Sequence, residues 1–396
     1  MRAIIVPLLR CPATGQRLRL FAERGGPSPR PNGVRLGAYL SSDMVQLVAQ
    51  SNLGKRLGDS TDGGLAERLM GFDVHTGALY TSDREHVYPI VNGIPRLLPP
   101  DQCRHTEETD YYRKRLEAPS ERCLERPKAI LEDTLGSYTI QWEELDCADS
   151  AGRVPIQDRF EMVQDELGIS DFPGVLAGKR HVDAACDNAA VALRIADLGV
   201  EVFALDPSAS VERDGTHEHS LPRHGIVHFI QADLAAPPLA PGVFESLYCG
   251  GALHRSGDFE TGLHKLAALL TPEGSRMYVW TRRRRLLADM IFAMLRALLG
   301  LVPTSLRRSA SRVAAVPYAF ARFVARMIFG RDAYPRLTFN QSLLQFMDAL
   351  GESWGSVPSA RAFEAMIARM SFSSQQLKRP GRRGYGILAI RNAAID

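Results

Sequence analysis

Residues 181–190 read HVDAACDNAA, a segment that ends one predicted strand and opens a helix. Its apolar first half is typical of a buried strand, and its second half opens a helix. Four more strand-length apolar runs follow, separated by helical segments, which indicates βαβ units and a parallel sheet. The predicted strands are His181–Ala185, Glu201–Leu205, Val227–Gln231, Glu245–Cys249 and Ser275–Trp280. The predicted helices between them are Asn188–Leu198 and Phe259–Leu270.

Composition limits the class of protein. The chain has 396 residues, 45% of them apolar, which is enough for two domains with real cores and excludes global disorder. A formal charge of +3 is too small to indicate nucleic-acid binding. Six scattered cysteines do not form a disulfide framework, so we expect a reducing compartment, the cytoplasm. We expect Cys186 and Cys249 to be small buried residues and not nucleophiles.

Four segments differ in pattern. Residues 1–100 have turn chemistry and short strands, with a tight turn predicted at Asn92-Gly93. Residues 101–165 are charged and predict a helical connector. Residues 166–281 carry the βαβ pattern, and residues 282–396 combine basic helices with a final strand at Gly384–Ile390.

Three acids follow consecutive strands of the predicted sheet. Asp183 lies in the first strand, Asp206 ends the second, and Asp233 follows the third. Ligands in open α/β sheets bind outside the carboxyl ends of the strands, where an acid after the second strand can hold both hydroxyls of a ribose. An acid after the third strand can accept the exocyclic amine of an adenine. The spacing therefore predicts a nucleoside site.

The run from Asp183 to Leu270, with ALH at 252–254, resembles the class I S-adenosylmethionine-dependent methyltransferases. The segment 1–98, with YPI at 88–90 and GIP at 93–95, is similar to the small Trm112-like zinc-ribbon domain that precedes some of these enzymes. The two resemblances imply a Rossmann-like methyltransferase sheet with a small N-terminal domain. They also imply that the variable C-terminal part, including Asn340-Gln341-Ser342, forms a helical lid and closing strands.

The resemblance implies a role for each matching residue. Asp183 would lie near the methionine end of S-adenosylmethionine, Asp206 would hold the ribose, and Asp233 with Leu234 would contact the adenine. His254 corresponds to a histidine that faces the substrate in this family. Two interpretations of that histidine stay open: a general base for a hydroxyl or amine acceptor, or a hydrogen-bonded structural residue.

The loop after the first strand departs from the family pattern Asp-x-Gly-x-Gly-x-Gly. The three glycines correspond to Ala185, Asp187 and Ala189. Backbone at the middle position must approach the cofactor closely, and Asp187 adds a side chain and a charge there. We therefore expect the affinity for S-adenosylmethionine to be reduced or lost. The alternative is a shifted loop that directs Asp187 toward water.

The N-terminal zinc site is also incomplete. A zinc ribbon needs four thiolate or imidazole ligands in closely spaced pairs. The first pair of expected ligand positions is occupied by Cys11 and Thr14. The second pair is occupied by Thr81 and Arg84. We predict a metal-free domain, held by packing of residues such as Ile90, Ile94 and Leu97.

The segment Arg282–Arg336 contains twelve arginines and two acids, alternating with apolar residues at helical spacing. Two interpretations stay open: a helical lid packed on the core, and a basic amphipathic element that contacts an anionic membrane surface. The most apolar stretch, Leu286–Pro303, is short for a membrane span and carries two charged residues.

Two functional hypotheses follow. In the first, the chain is a methyltransferase-family protein with a degenerate cofactor loop, acting on a small-molecule biosynthetic intermediate together with a partner, such as a paralogous methyltransferase subunit. In the second, it is a non-catalytic relative that serves as a scaffold or regulatory subunit of an active methyltransferase. The retained acids favour the first hypothesis. The changes at Asp187 and at the zinc ligands favour the second.

Overall fold

The computed structural model describes fourteen stretches of the chain. They are residues 1–28, 39–57, 64–99, 105–119, 156–187, 189–208, 224–256, 258–283, 286–302, 304–329, 342–343, 346, 357–378 and 384–391. The chain divides into two compact units. The first consists of Met1–Pro127, Ile156–Arg282 and Ser356–Asp396, and the second of Lys128–Pro155 and Arg283–Gly355.

The first unit is built on one mixed sheet of eleven strands, in the order β1-β2-β3-β4-β7-β6-β5-β8-β9-β11-β10. The strands are β1 (Arg19–Pro27), β2 (Phe72–Tyr80), β3 (Val87–Val91), β4 (Ile94–Leu97), β5 (Arg180–Ala184), β6 (Glu201–Asp206), β7 (Ile226–Ala232), β8 (Ser246–Gly250), β9 (Arg276–Arg282), β10 (Ser374–Lys378) and β11 (Gly384–Ile390). All five predicted strands are confirmed within one or two residues at each end. The predicted final strand is confirmed as β11, antiparallel to β9.

Both ends of eleven α-helices lie in the described residues. They are α1 (Ser41–Ala49), α2 (Gly54–Leu57), α3 (Leu65–Met70), α4 (Thr106–Arg115), α5 (Ile156–Leu167), α6 (Phe172–Leu176), α7 (Ala190–Ala196), α8 (Phe259–Ala268), α9 (Leu286–Gly300), α10 (Thr304–Phe329) and α11 (Ala360–Ala368). Both helices predicted between the strands are present as α7 and α8. Of the predicted connector, α4 and the start of α5 are described, whereas residues 120–155 lie outside the described part.

The parallel strands β5 and β6 are buried along their whole length, as expected for strands covered on both faces. β5 pairs with β6 on one side and with β8 on the other, so the strand order reverses there. Such a reversal leaves a crevice at the carboxyl ends of the two strands that flank it. The sheet therefore places the end of β5 and the loop after it at this switch point.

The N-terminal strands continue the same sheet. β1 to β4 form an antiparallel meander, and the predicted Asn92-Gly93 turn is confirmed, with φ of 53° and 76°. β4 then pairs with β7 in parallel, and buried Arg96 donates from Nη1 to Gln231 Oε1 at 3.2 Å. Ile90, Ile94 and Leu97 are buried, as predicted. The sheet thus extends from residues 1–100 into the βαβ core.

A buried charged cluster lies at the amino-terminal edge of the parallel strands. Glu201, fully buried, accepts hydrogen bonds from the Tyr39 hydroxyl, from Arg180 Nε at 3.1 Å and from His228 Nε2 at 3.1 Å. Burial lowers the pKa of His228, so at neutral pH the counter-charge of Glu201 is Arg180. Burial by itself would raise the pKa of Glu201, but its hydrogen bonds and charged neighbours hold that pKa below the usual value.

The second unit contains an adjacent helix pair, α9 and α10. Its small core consists of Phe292, Leu295, Ala314, Ala315, Tyr318, Leu343 and Phe346. Helices are thus confirmed for the described part of the basic segment, whereas Arg331, Arg336 and Asn340-Gln341 lie outside the described residues. None of the described helices combines the length and hydropathy needed to cross a membrane. The role of this unit as a lid stays a prediction.

We expect Glu201→Gln to destabilise the protein by about 3–5 kcal/mol, because it leaves the buried Arg180 without its counter-charge. The matched control is Glu260→Gln. Glu260 pairs with Arg369 at 3.4 Å on the surface, where loss of an ion pair costs about 1 kcal/mol or less. The measurement is the free energy of urea unfolding, followed by circular dichroism. Equal losses in the two variants would contradict the importance of the buried cluster.

Candidate functional site

The loop after β5 follows a left-handed path at three positions. The backbone φ is 72° at Ala185, 56° at Asp187 and 53° at Ala189. These are the three positions that correspond to glycines in the family pattern. Because each residue carries a Cβ, the left-handed region costs roughly 1–2 kcal/mol at an alanine and less at an aspartate. The loop keeps a glycine-type backbone without glycines.

Hydrogen bonds to β6 hold this loop. The backbone N–H groups of Ala185 and Cys186 both donate to the Leu205 carbonyl, at 2.7 and 3.1 Å. Ala189 N–H donates to the Cys186 carbonyl at 2.7 Å, and the Ala189 carbonyl accepts from Leu193 at the start of α7. These contacts fix the loop between two structural elements. Asn188 lies outside the described residues.

The Asp206 carboxylate is engaged by the protein itself. Its Oδ1 accepts from Ser208 N at 2.8 Å and from Ser208 Oγ at 2.6 Å, and its Oδ2 accepts from Asp187 N at 3.2 Å. The residue is 6% exposed. A carboxylate offers about four acceptor positions, so at least three are used here. The loop is thus tied to the side chain that the sequence assigns to ribose binding.

Asp183 is an acid of the site with a strongly raised pKa. It is buried, and this burial raises its pKa to about 7. The nearby Arg159 on α5 opposes the rise, whereas the negative charge of Asp206 adds to it. A large fraction of this carboxyl is therefore neutral at physiological pH.

The Asp187 side chain is 43% exposed, and its Oδ2 is 4.0 Å from Arg159 Nη2. This placement agrees with the alternative in which Asp187 is directed toward water, except that Asp187 also lies near a cation, Arg159. Arg159 could not be predicted as a neighbour of this loop from the sequence, because it comes from a helix of the predicted connector. The Asp-x-Ser spacing of Asp206 and Ser208 is a turn signal that could have predicted their hydrogen bonds.

Asp233 and Leu234 differ in what they could offer a ligand. Asp233 directly follows β7, is partly exposed, and accepts from Ala235 N at 2.9 Å. Leu234 is 2% exposed, and its side chain belongs to the main hydrophobic core. Only the backbone of Leu234 could therefore contact a cofactor. The assignment of both residues to adenine binding stays a prediction.

His254 lies in a short 3₁₀-helix, Leu253–Arg255, and is 2% exposed. Its ring makes an edge contact with Trp280, at 6.3 Å between ring centres. A general base must reach the proton that it removes, and both interpretations of His254 stay predictions. Cys186 and Cys249 are also buried, as predicted. Burial raises the pKa of Cys249 to about 12 and that of Cys186 well above the usual value, so neither is a thiolate at neutral pH.

The expected zinc positions have other contacts. The buried Cys11 Sγ is 3.2 Å from the Tyr88 hydroxyl. Thr81 Oγ1 donates to Asp83 and accepts from the His86 backbone N–H, and Arg84 N–H donates to the Thr81 carbonyl. In the described part of the chain, no three His, Cys, Asp or Glu side chains converge on one point. The metal-free state of this domain stays a prediction.

Comparison with known families identifies two parts of the chain. Residues 182–277 match the methyltransferase domain model, and residues 4–93 match the Trm112p-like protein model. The first match covers the strands and loop of the candidate site, and the second covers β1 to β3 and the turn after them. The chain therefore contains a region that matches methyltransferase domains, preceded by a region that matches Trm112p-like proteins. No curated protein matches it significantly.

Solved structures give distant likenesses. Magnesium protoporphyrin IX methyltransferase (ChlM) from Synechocystis with bound SAH is 14% identical over 67% of this chain and 99% of its own, with a TM-score of 0.37. A SAM-dependent methyltransferase from Aquifex aeolicus is 8% identical over 60% and 99%, with a TM-score of 0.33. The CMeT domain of citrinin polyketide synthase is 9% identical, with a TM-score of 0.33. The match to it covers 54% of this chain and about half (47%) of that structure.

A pair of alanine substitutions tests the left-handed loop. Ala189 and Ala192 are both buried, so Ala→Gly removes a similar methyl group at each position. Glycine costs about 1 kcal/mol inside a helix, as at Ala192, but relieves the left-handed strain at Ala189. We expect Ala189→Gly to be more stable than Ala192→Gly by about 1–2 kcal/mol in urea unfolding. Equal stability of the two variants would show that position 189 is unstrained.

Substitution of Asp183 tests its raised pKa. Because the folded carboxyl binds its proton more tightly than the unfolded one, its contribution to stability is greatest below pH 4. That contribution is lost as the pH rises through about 7. Asp183→Asn cannot ionise, so from pH 5 to pH 8 it should gain roughly 2–3 kcal/mol over the parent in urea unfolding. The exposed Asp158→Asn is the control. A parallel pH dependence in Asp183→Asn and the parent would refute the raised pKa.

Proposed function

We propose that this chain is a methyltransferase-family subunit with a degenerate, closed cofactor site, which acts on a small-molecule biosynthetic intermediate together with a partner subunit. The observation that carries the proposal is the hydrogen bond from Asp187 N–H to the Asp206 carboxylate. This bond ties the cofactor loop to the acid that would otherwise hold the ribose.

The number of hydrogen bonds that the Asp206 carboxylate already accepts supports the proposal that the cofactor site is closed. A ribose diol donates two hydrogen bonds, whereas at least three of the roughly four acceptor positions on this carboxylate are already used. The side chain is also 6% exposed, so a ribose would have to displace the loop to reach it. Binding would then lose the Asp187 hydrogen bond before the ribose contacts form.

Charge supports the same conclusion. The methionine end of S-adenosylmethionine carries a carboxylate, and the family assigns Asp183 to that end. Asp187, in the loop after β5, brings a negative charge near this carboxylate, and repulsion between like charges would oppose binding. Arg159, at 4.0 Å from Asp187, and the sulfonium charge of the cofactor offset part of that repulsion. The residues present therefore do not fit tight binding of S-adenosylmethionine in this loop conformation.

A partner subunit accounts for two altered ligand sites in one chain. Of the four expected zinc positions, only that of Cys11 holds a cysteine or histidine. None of the three glycines of the family's cofactor loop is present in this chain. Both changes are tolerable if a paralogous methyltransferase subunit binds the cofactor. Buried free thiols at Cys11, Cys186 and Cys249 support a reducing compartment, and we place the protein in the cytoplasm.

The second candidate function is a methyltransferase that acts by itself on a small-molecule acceptor. Two observations favour it: acids at all three strand ends, and a loop that keeps the left-handed path at 185, 187 and 189. In this case the loop opens when the cofactor binds, and the Asp187–Asp206 bond breaks.

Calorimetric titration with S-adenosylhomocysteine separates the two candidates. We expect no saturable heat with the parent chain at high micromolar ligand. The triple variant Ala185→Gly/Asp187→Gly/Ala189→Gly should bind at least about tenfold more tightly, because glycine frees the loop and removes the charge. Asp187→Asn, which keeps the side-chain volume, separates the effect of charge from that of backbone freedom. Micromolar binding by the parent would overturn the closed site and support the second candidate.

A further inference from the structure

Helix α10 carries a wide exposed apolar face. Its members recur at spacings of three, four and one residues, which places them along one side of the helix. Phe320, Phe323 and Met327 are 67%, 59% and 74% exposed. The whole set is Val313, Val316, Phe320, Phe323, Val324, Met327 and Ile328.

Helix α9 and the residue after it repeat this pattern. Met290, Ile291, Met294 and Leu298 follow helical spacing and are each more than half exposed, and Leu301 is 82% exposed. We call these five residues and the seven on α10 the hairpin stripe. Soluble monomers rarely expose this many large apolar side chains on two adjacent helices unless the side chains bind a partner.

The hairpin stripe is separate from the core of its own unit. That core is formed by other positions on the same helices, with Phe292 and Tyr318 in edge contact at 6.0 Å and both against Phe346. Each helix therefore has one apolar side that stabilises the pair and another that is exposed. Packing between α9 and α10 therefore does not explain why the exposed side of each helix is apolar.

The charge of this region is unusual for the chain. Residues 283–329 contain nine arginines and one acid, Asp289, and no lysine, for a net charge of +8. The chain as a whole has a net charge of +3, so the remaining residues carry −5. Helix α10 has five arginines and no acid. Positive charge is thus concentrated on the helices that expose the stripe.

We propose that the hairpin stripe binds the surface of a membrane containing anionic phospholipids. The apolar side chains would enter the boundary between headgroups and acyl chains, and the arginines would attract the anionic headgroups. Aromatic and methionine side chains on helices that are rich in arginine suit this boundary. Since neither helix is long and apolar enough to cross a membrane, the pair would lie along the surface.

The positive charge of this region also argues against a second copy of this chain as the partner that covers the hairpin stripe. A symmetric dimer through the hairpin stripe would bring two regions of +8 together, and like charges at an interface oppose association. An anionic lipid surface offers the opposite sign over a large area.

Vesicle flotation tests the proposal. The full chain is mixed at low salt with vesicles of phosphatidylcholine alone, or of phosphatidylcholine with phosphatidylserine. We expect flotation with the anionic vesicles, weaker flotation with the neutral ones, and release by high salt. The variant Phe320→Gln/Phe323→Gln should lower the partition coefficient by about tenfold or more. Both positions are exposed, so this variant should fold, which circular dichroism checks.

The matched control is Ile156→Gln/Met162→Gln. It changes two exposed apolar residues on α5, outside the stripe, and should float like the parent. Absence of flotation at low salt, or flotation unaffected by the phenylalanine changes, would overturn the proposal. So would light scattering that shows a lipid-free dimer which the phenylalanine variant dissociates, because the stripe would then be a protein interface. None of these outcomes depends on binding of S-adenosylhomocysteine, so they are distinguishable from failure of the closed cofactor site.

Discussion

The parallel pairing of β5 with β6 and β8 is the constraint on which the candidate site depends. It reverses the strand order at β5 and brings the ends of β5 and β6 together. Asp183 and Asp206, twenty-three residues apart in the chain, therefore lie at one edge of the sheet. The loop between β5 and α7 closes over this edge because its amides donate to β6.

The pairing of β5 with β6 also explains how the loop after β5 keeps its backbone conformation without glycine. A left-handed path is costly for alanine and aspartate, yet the loop keeps it at three positions because hydrogen bonds to Leu205 and Asp206 fix the backbone. The carboxylate that would accept a ribose becomes part of the loop's own support. Stability of the loop and affinity for a nucleoside thus depend on the same acceptor.

The N-terminal domain contributes to this core more directly than a tethered module would. Its strand β4 extends the sheet beside β7, and the Tyr39 hydroxyl reaches buried Glu201 at the opposite edge from the site. Contacts of this kind stabilise the domain against the sheet. The domain is therefore held to the core by the pairing of β4 with β7 and by a hydrogen bond from Tyr39 to the buried Glu201, in addition to any ligand of its own.

The five core strands, the order of the acids and the concentration of arginine at 283–329 can all be predicted from the amino-acid sequence, because periodicity and charge are local properties. The sequence also predicts that residues 185, 187 and 189 stand where glycine is usual. The hydrogen bond from Asp187 to Asp206 and the position of Arg159 beside the loop are visible only in the folded chain. These contacts join segments distant in the chain, and burial, which sets the pKa of Asp183, exists only once the sheet and α5 have packed.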